Sequence, residues 1–161
     1  MNIDLSKLHN GVVEEIDITN TYSIPQEYIK DDSVIEANNL DVKGKIFLKD
    51  NDGDNYLDDY IDCSIKGIIK YKDSISLEPI DLDINIEYSD FIEENYKKNE
   101  NILDIFASLW ENVELEVPLQ FTKVRDLSKF HGDGWKLISE DDLNKSNNPF
   151  SELLKDFDNK E

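Results

Sequence analysis

The sequence holds a single cysteine, Cys63, so no internal disulfide can staple the fold. That usage suits a reducing compartment. Histidine is almost as scarce: His9 and His131 are the only two, and neither stands at a metal-ligand or triad spacing. No glycine-rich phosphate loop is present. No stretch approaches the ~20 apolar residues that span a bilayer, and "MNIDLSKLHNGVVEEIDI" shows no apolar run behind a basic start. The expectation is a cytoplasmic protein without a membrane segment. Positive charge is also in short supply, with 17 Lys and Arg against 37 Asp and Glu and a formal net charge of −20. A phosphate backbone is held by cations that release its counterions. No basic stripe with interleaved aromatics offers this, so binding to free nucleic acid is not expected. A basic protein would instead be attracted, at a rate that falls as salt rises.

What remains is ample for folding. The chain has 161 residues, 39% hydrophobic and 10% aromatic, enough for a single core in one domain over 1–161. Alternation with a period of two marks strands in the first half. Leu40, Val42, Gly44, Ile46 and Leu48 share one face; so do Ile61, Cys63, Ile65, Gly67, Ile69 and Tyr71, and so do Ile80, Leu82, Ile84, Ile86 and Tyr88. "VVEEIDI" is a weaker strand, and "SIPQEYIKDDSVIEANN" predicts a short helix and a loop. Ile102, Phe106, Leu109 and Val113 then recur at helical spacing. Val113, Leu115 and Val117 alternate up to Pro118, which predicts a short strand ended by proline. Ser139 is a helix N-cap candidate in "SEDD", and "NPFSELLKDF" predicts a terminal helix. The fold class expected is α+β: a curved antiparallel sheet of about five or six strands, covered by the helix near 102–113, with a C-terminal helix alongside.

Two acidic features could carry function. "KDNDGDNYLDD" offers Asp50, Asp52, Asp54 and Asp59 as oxygen ligands around Gly53. In calcium-loop register, however, the first ligand position falls on Leu48, and a strand precedes the loop where a helix is required. Asn, Asp and Gly between two alternating runs predict a hairpin turn. The second feature is the stretch from Asp73 to Glu94, with eight acids and no Lys or Arg. Side chains on one strand face repeat every ~7 Å, so Asp81, Asp83 and Glu87 form a line of charge. Antiparallel pairing of this strand with "YIDCSIKGIIKY" would set Lys66 opposite Asp81 or Asp83. Cys63 shares the inward parity of its strand, which predicts a small core residue and not a reactive thiolate. "HGDGW" reads as a turn with a buried or anchoring tryptophan. No catalytic residue, cofactor site or metal site is expected.

"DLSKLHNG" with "VVEEIDI", then "LDVKGKIFLKD", "CSIKGIIKYKDSISLEPIDLDINIEY" and "NILDIFASLWENVELEVPLQ" follow one another in an order that resembles the YceD family. These are the large ribosomal RNA subunit accumulation proteins. "GDGWKLISEDD" and "NPFSELLKDF" resemble the C-terminal end of its low-GC Gram-positive branch. Glu114, Leu115, Pro118 and Trp135 carry the match, and Leu115 and Trp135 read equally as core or as contact. Relatives often have cysteines at the hairpin turn and again after the Pro-Leu step. Here the turn holds Asp73 and Ser76, and the later segment has no cysteine, so a thiolate metal site is absent from this chain.

The resemblance implies a single YceD-like domain and a part in accumulation of large-subunit ribosomal RNA or ribosome assembly. The family's genes commonly neighbour one for a small, basic large-subunit ribosomal protein. The expectation is therefore a non-enzymatic factor that binds a basic ribosomal or assembly protein, with Asp81, Asp83, Glu87, Glu114, Leu115, Pro118 and Trp135 as partner-binding residues. The alternatives are a calcium-binding module at 50–59 and a metal-dependent hydrolase that processes RNA. Partner identity and oligomeric state are left open.

Overall fold

The computed structural model describes residues 1–53 and 55–139. The chain divides into two compact units, Met1–Thr122 and Lys123–Glu161. In chain order the first contains β1 (Asn2–Asp4), α1 (Ser6–His9), β2 (Glu15–Asp17), β3 (Asn20–Ile24), β4 (Val34–Asp50), β5 (Leu57–Lys72), β6 (Pro79–Phe91), β7 (Lys97–Asn99), β8 (Ile102–Asp104) and α2 (Ile105–Glu116). Described residues of the second form β9 (His131–Gly132) and β10 (Trp135–Lys136). The proposed terminal helix at "NPFSELLKDF" lies outside the described residues, as does the segment that Ser139 would cap.

The molecule is mostly antiparallel sheet. Long strands β4, β5 and β6 run as a meander, and β2 and β3 both pair with β4 to complete five strands. A smaller sheet takes the order β1-β8-β7. The alternation read from the sequence decides which face is buried: Leu40, Val42, Ile46, Ile61, Cys63, Ile65, Ile69 and Tyr71 lie in the core. Gly44 is paired with Cys63 across β4 and β5. A side chain there would meet the Cys63 Cβ at 2.2 Å, so the glycine permits the close approach of the two strands.

Four local expectations are corrected. β4 begins at Val34, inside the stretch expected to form a short helix and a loop, and its register with β5 shifts between Val34 and Glu36 and again between Glu36 and Asp41. These irregularities, with Asn39 at a φ of 55°, space the buried residues Val34, Ala37 and Leu40 three apart and break the alternation. The short helix expected there is a 3-10 turn at Gln26–Tyr28. The long helix starts at Ile105, since Ile102–Asp104 pair with Asn2–Asp4 as β8. It then runs on to Glu116, where a strand had been expected. Val113 and Val117 are buried four residues apart while Leu115 between them is 78% exposed. That is helical spacing, which a short alternating run imitates.

α2 directs Ile105, Leu109, Trp110 and Val113 into the same core that the sheet lines. The Tyr71 hydroxyl at the end of β5 donates to the Pro118 carbonyl just beyond α2, at 3.1 Å.

Candidate functional site

The face of the sheet turned away from the core is built by register. Asp81, Asp83 and Glu87 on β6 are all exposed there, alternating with the inward Ile80, Leu82, Ile84, Ile86 and Tyr88. β6 carries no Lys or Arg from Pro79 to Phe91. The β5–β6 turn occupies residues 73–78 and sets Lys72 opposite Pro79. Lys66 consequently faces Asn85, contrary to the expectation of Asp81 or Asp83. Lys70 faces Asp81 instead and forms an ion pair with it. The hydrogen bond from that pair raises the Lys70 pKa. Asp83 faces the exposed Ile68, and Glu87 faces Ser64, whose other neighbour is Lys43.

The acids are thus concentrated on the edge strand, whereas β4 and β5 interleave charges of both signs. An open cavity of 620 Å³ on this face is lined by Glu15, Asp17, Lys43, Lys45, Asp62 and Glu87, among others. Beside it lies a row that the sequence did not disclose. Phe47, Tyr60 and Phe91 stand side by side on β4, β5 and β6, with ring centroids 5.3 and 4.9 Å apart. Lys49 Nζ sits 4.1 Å from the Tyr60 centroid. This small lysine–aromatic group is flanked by Glu15 and Asp58. Its members are too far apart in the chain to form a motif; only cross-strand register joins them.

Three of the remaining expected residues, Glu114, Leu115 and Pro118, do not join that face. Glu114 and Leu115 stand in the last turn of α2 and Pro118 lies just beyond it, on the core side of the sheet, where Leu115 projects outward. Trp135 is in the second unit. It is 57% exposed and rests its indole against Gly132 in a two-strand hairpin turned by Asp133 and Gly134. It anchors the turn without being buried.

The acidic 50–59 stretch spans the connection from the end of β4 at Asp50 to the start of β5 at Leu57, and runs on into β5; Asp54 lies outside the described residues. Asp50 accepts the Gly53 amide at 2.7 Å, and Gly53 has a φ of 75°, which glycine adopts without a Cβ penalty. Asp59 is not part of that connection. Its buried carboxylate accepts from His9 Nε2 at 2.8 Å and pairs with Lys97 Nζ at 2.9 Å. His9 Nδ1 meets Asn101 Oδ1, also at 2.8 Å. Burial opposes a charge on His9, but the bonds to Asp59 and Asn101 and the Asp59 charge prevail, so its pKa is raised. Both ring nitrogens are engaged within the protein, which makes this cluster a strap joining α1, β5 and the β7–β8 connection. Spacing could not reveal it, because His9, Asp59 and Lys97 are dispersed along the chain. Cys63 is buried, and burial pushes its thiol up to about 12.

Asp73 forms a second buried knot. Its Oδ1 accepts from the amides of Ile75 and Ser76 and, at 2.8 Å, from the Thr122 hydroxyl. The Phe121 amide donates to the Ser74 hydroxyl, and the Ser74 amide to the Phe121 carbonyl. The β5–β6 turn and the segment after Pro118-Leu119 are therefore adjacent. No family model, curated protein or solved structure matches the chain. Among the described residues, no group of three or more His, Cys, Asp or Glu is arranged to hold a metal ion, and no helix is long and apolar enough to cross a membrane.

Proposed function

We propose that this chain is a non-enzymatic cytoplasmic factor that supports accumulation of large-subunit ribosomal RNA by holding a basic ribosomal or assembly protein. The observation that carries the reading is β6: exposed Asp81, Asp83 and Glu87, without a single cation along the strand, in a chain of net charge −20. Such a strip attracts a cationic surface and repels a phosphate backbone. The ribosomal part rests on the resemblance to the YceD family. The Asp73 knot supports that resemblance, because it joins the two segments at which relatives often have cysteines. In this chain hydrogen bonds hold together what a shared thiolate site would otherwise bridge. α2 is the layer that covers the sheet in this reading, and Leu115 at its exposed end adds an apolar contact.

Titration of the protein against purified basic large-subunit ribosomal proteins, at low and at high salt, tests the proposal. Binding that weakens with salt is expected for at least one of them. Negligible affinity under both conditions would refute it.

A further inference from the structure

We infer that β6 captures a basic partner by accepting an extended segment as an additional strand along Asp83–Ser89, a segment that alternates lysine or arginine with apolar residues. The inference rests on the proposed function and specifies the chemistry of its contact.

Among the described residues β6 pairs with β5 alone, and that pairing is continuous from Pro79 to Phe91 without a register shift. A long regular edge presents amide and carbonyl groups to any extended chain. Proteins ordinarily blunt such an edge with lysines, prolines or bulges. Beyond Pro79 at its start, β6 has none of these. What it has is acids, and acids discriminate between occupants. A second copy of β6 would bring carboxylates against Asp83 and Glu87, and like charges directly opposite are destabilising. A strand with cations at alternate positions meets the same carboxylates favourably.

The inward face defines the other half of the partner. Ile86 and Tyr88 are only half-buried, while Ile65 and Cys63, their partners on β5, are buried. The apolar layer therefore thins at this edge. Apolar side chains on an added strand would extend it and remove more apolar surface from water. Main-chain bonds would supply affinity and the alternating side chains specificity, as in other strand additions.

The probe is an eight-residue peptide alternating lysine and valine, mixed with the full chain at low salt and followed by amide hydrogen exchange. The result expected is slower exchange at those amides of Asp83–Ser89 that β5 leaves unbonded. A second peptide, N-methylated at the alternate amides of one edge, keeps the charge but cannot form the ladder. It should bind at least about tenfold more weakly. Asp83→Asn combined with Glu87→Gln should weaken the parent peptide by roughly two- to thirtyfold. Equal binding of the N-methylated peptide, or binding that leaves β6 exchange unchanged, would overturn strand addition while acidic docking survived. A dimer protected along β6 without peptide would also overturn it. Failure of every basic peptide and protein to bind would remove the proposed function as well.

Discussion

His9 illustrates how far one side chain can be read once its neighbours are known. Nδ1 and Nε2 both face acceptors, on Asn101 and Asp59, and only the imidazolium donates from both nitrogens. The raised pKa agrees. Its contribution to stability is complete below the unfolded value of about 6.5 and is lost as pH rises through the higher folded value. Thermal unfolding should accordingly show the native protein losing its margin over a His9→Gln variant as pH climbs above about 6.5. A pH-independent difference would argue against the charged strap. Asp59 matters more than His9 in energetic terms, because it also shares with Glu94 the charge of Lys97, whose side chain is only 9% accessible. Replacing Asp59 with alanine leaves Lys97 only the exposed Glu94 carboxylate, 2.6 Å away, and leaves His9 Nε2 without its acceptor; the loss of these charge-assisted bonds should cost about 1–3 kcal/mol in denaturant unfolding. The sequence placed Asp59 at the end of a possible calcium loop. Its parity on β5, shared with Ile61 and Cys63, was the available sign that it points inward instead.

Among the elements, the central strands were legible and their ends were not. Clean alternation in β5 and β6 announces a half-buried sheet directly. The alternation stops short of the start of β4 because Glu36 to Asp41 contains register irregularities, which cancel the period of two. α2 was displaced for a related reason. "ELEV" alternates over four residues, too short a window to separate a strand from the last turn of a helix. The two assignments make different predictions for neighbouring leucines. Leu109 is buried and Leu115 exposed on the observed helix. Leu109→Ala should therefore destabilise by about 2–5 kcal/mol, whereas Leu115→Ala should stay within about 0.5 kcal/mol. Chemical denaturation of the two variants compares them. Any effect of Leu115→Ala on partner capture would then be a contact effect.

At the level of the molecule, the acidic strip on β6 was visible in the sequence, but its electrostatic setting was not. Net charge suggests a uniformly negative face; register shows Lys43, Lys45 and Lys49 on β4 and Lys66, Lys70 and Lys72 on β5, pointing the same way. Converting Asp81, Asp83 and Glu87 together to Asn, Asn and Gln should leave the fold intact, since the Lys70–Asp81 pair is exposed and contributes only ~0–1 kcal/mol. The same variant should lose salt-sensitive capture of a basic ribosomal protein. Unchanged capture in a binding titration would move the docking surface elsewhere.

The unbulged border of the large sheet has a colloidal consequence. Mutual repulsion between negatively charged copies opposes edge pairing in neutral solution, and that protection weakens as acidity approaches the isoelectric point of about 4.3. Light scattering should then record edge-to-edge stacking, arrested again by one lysine introduced at Asn85.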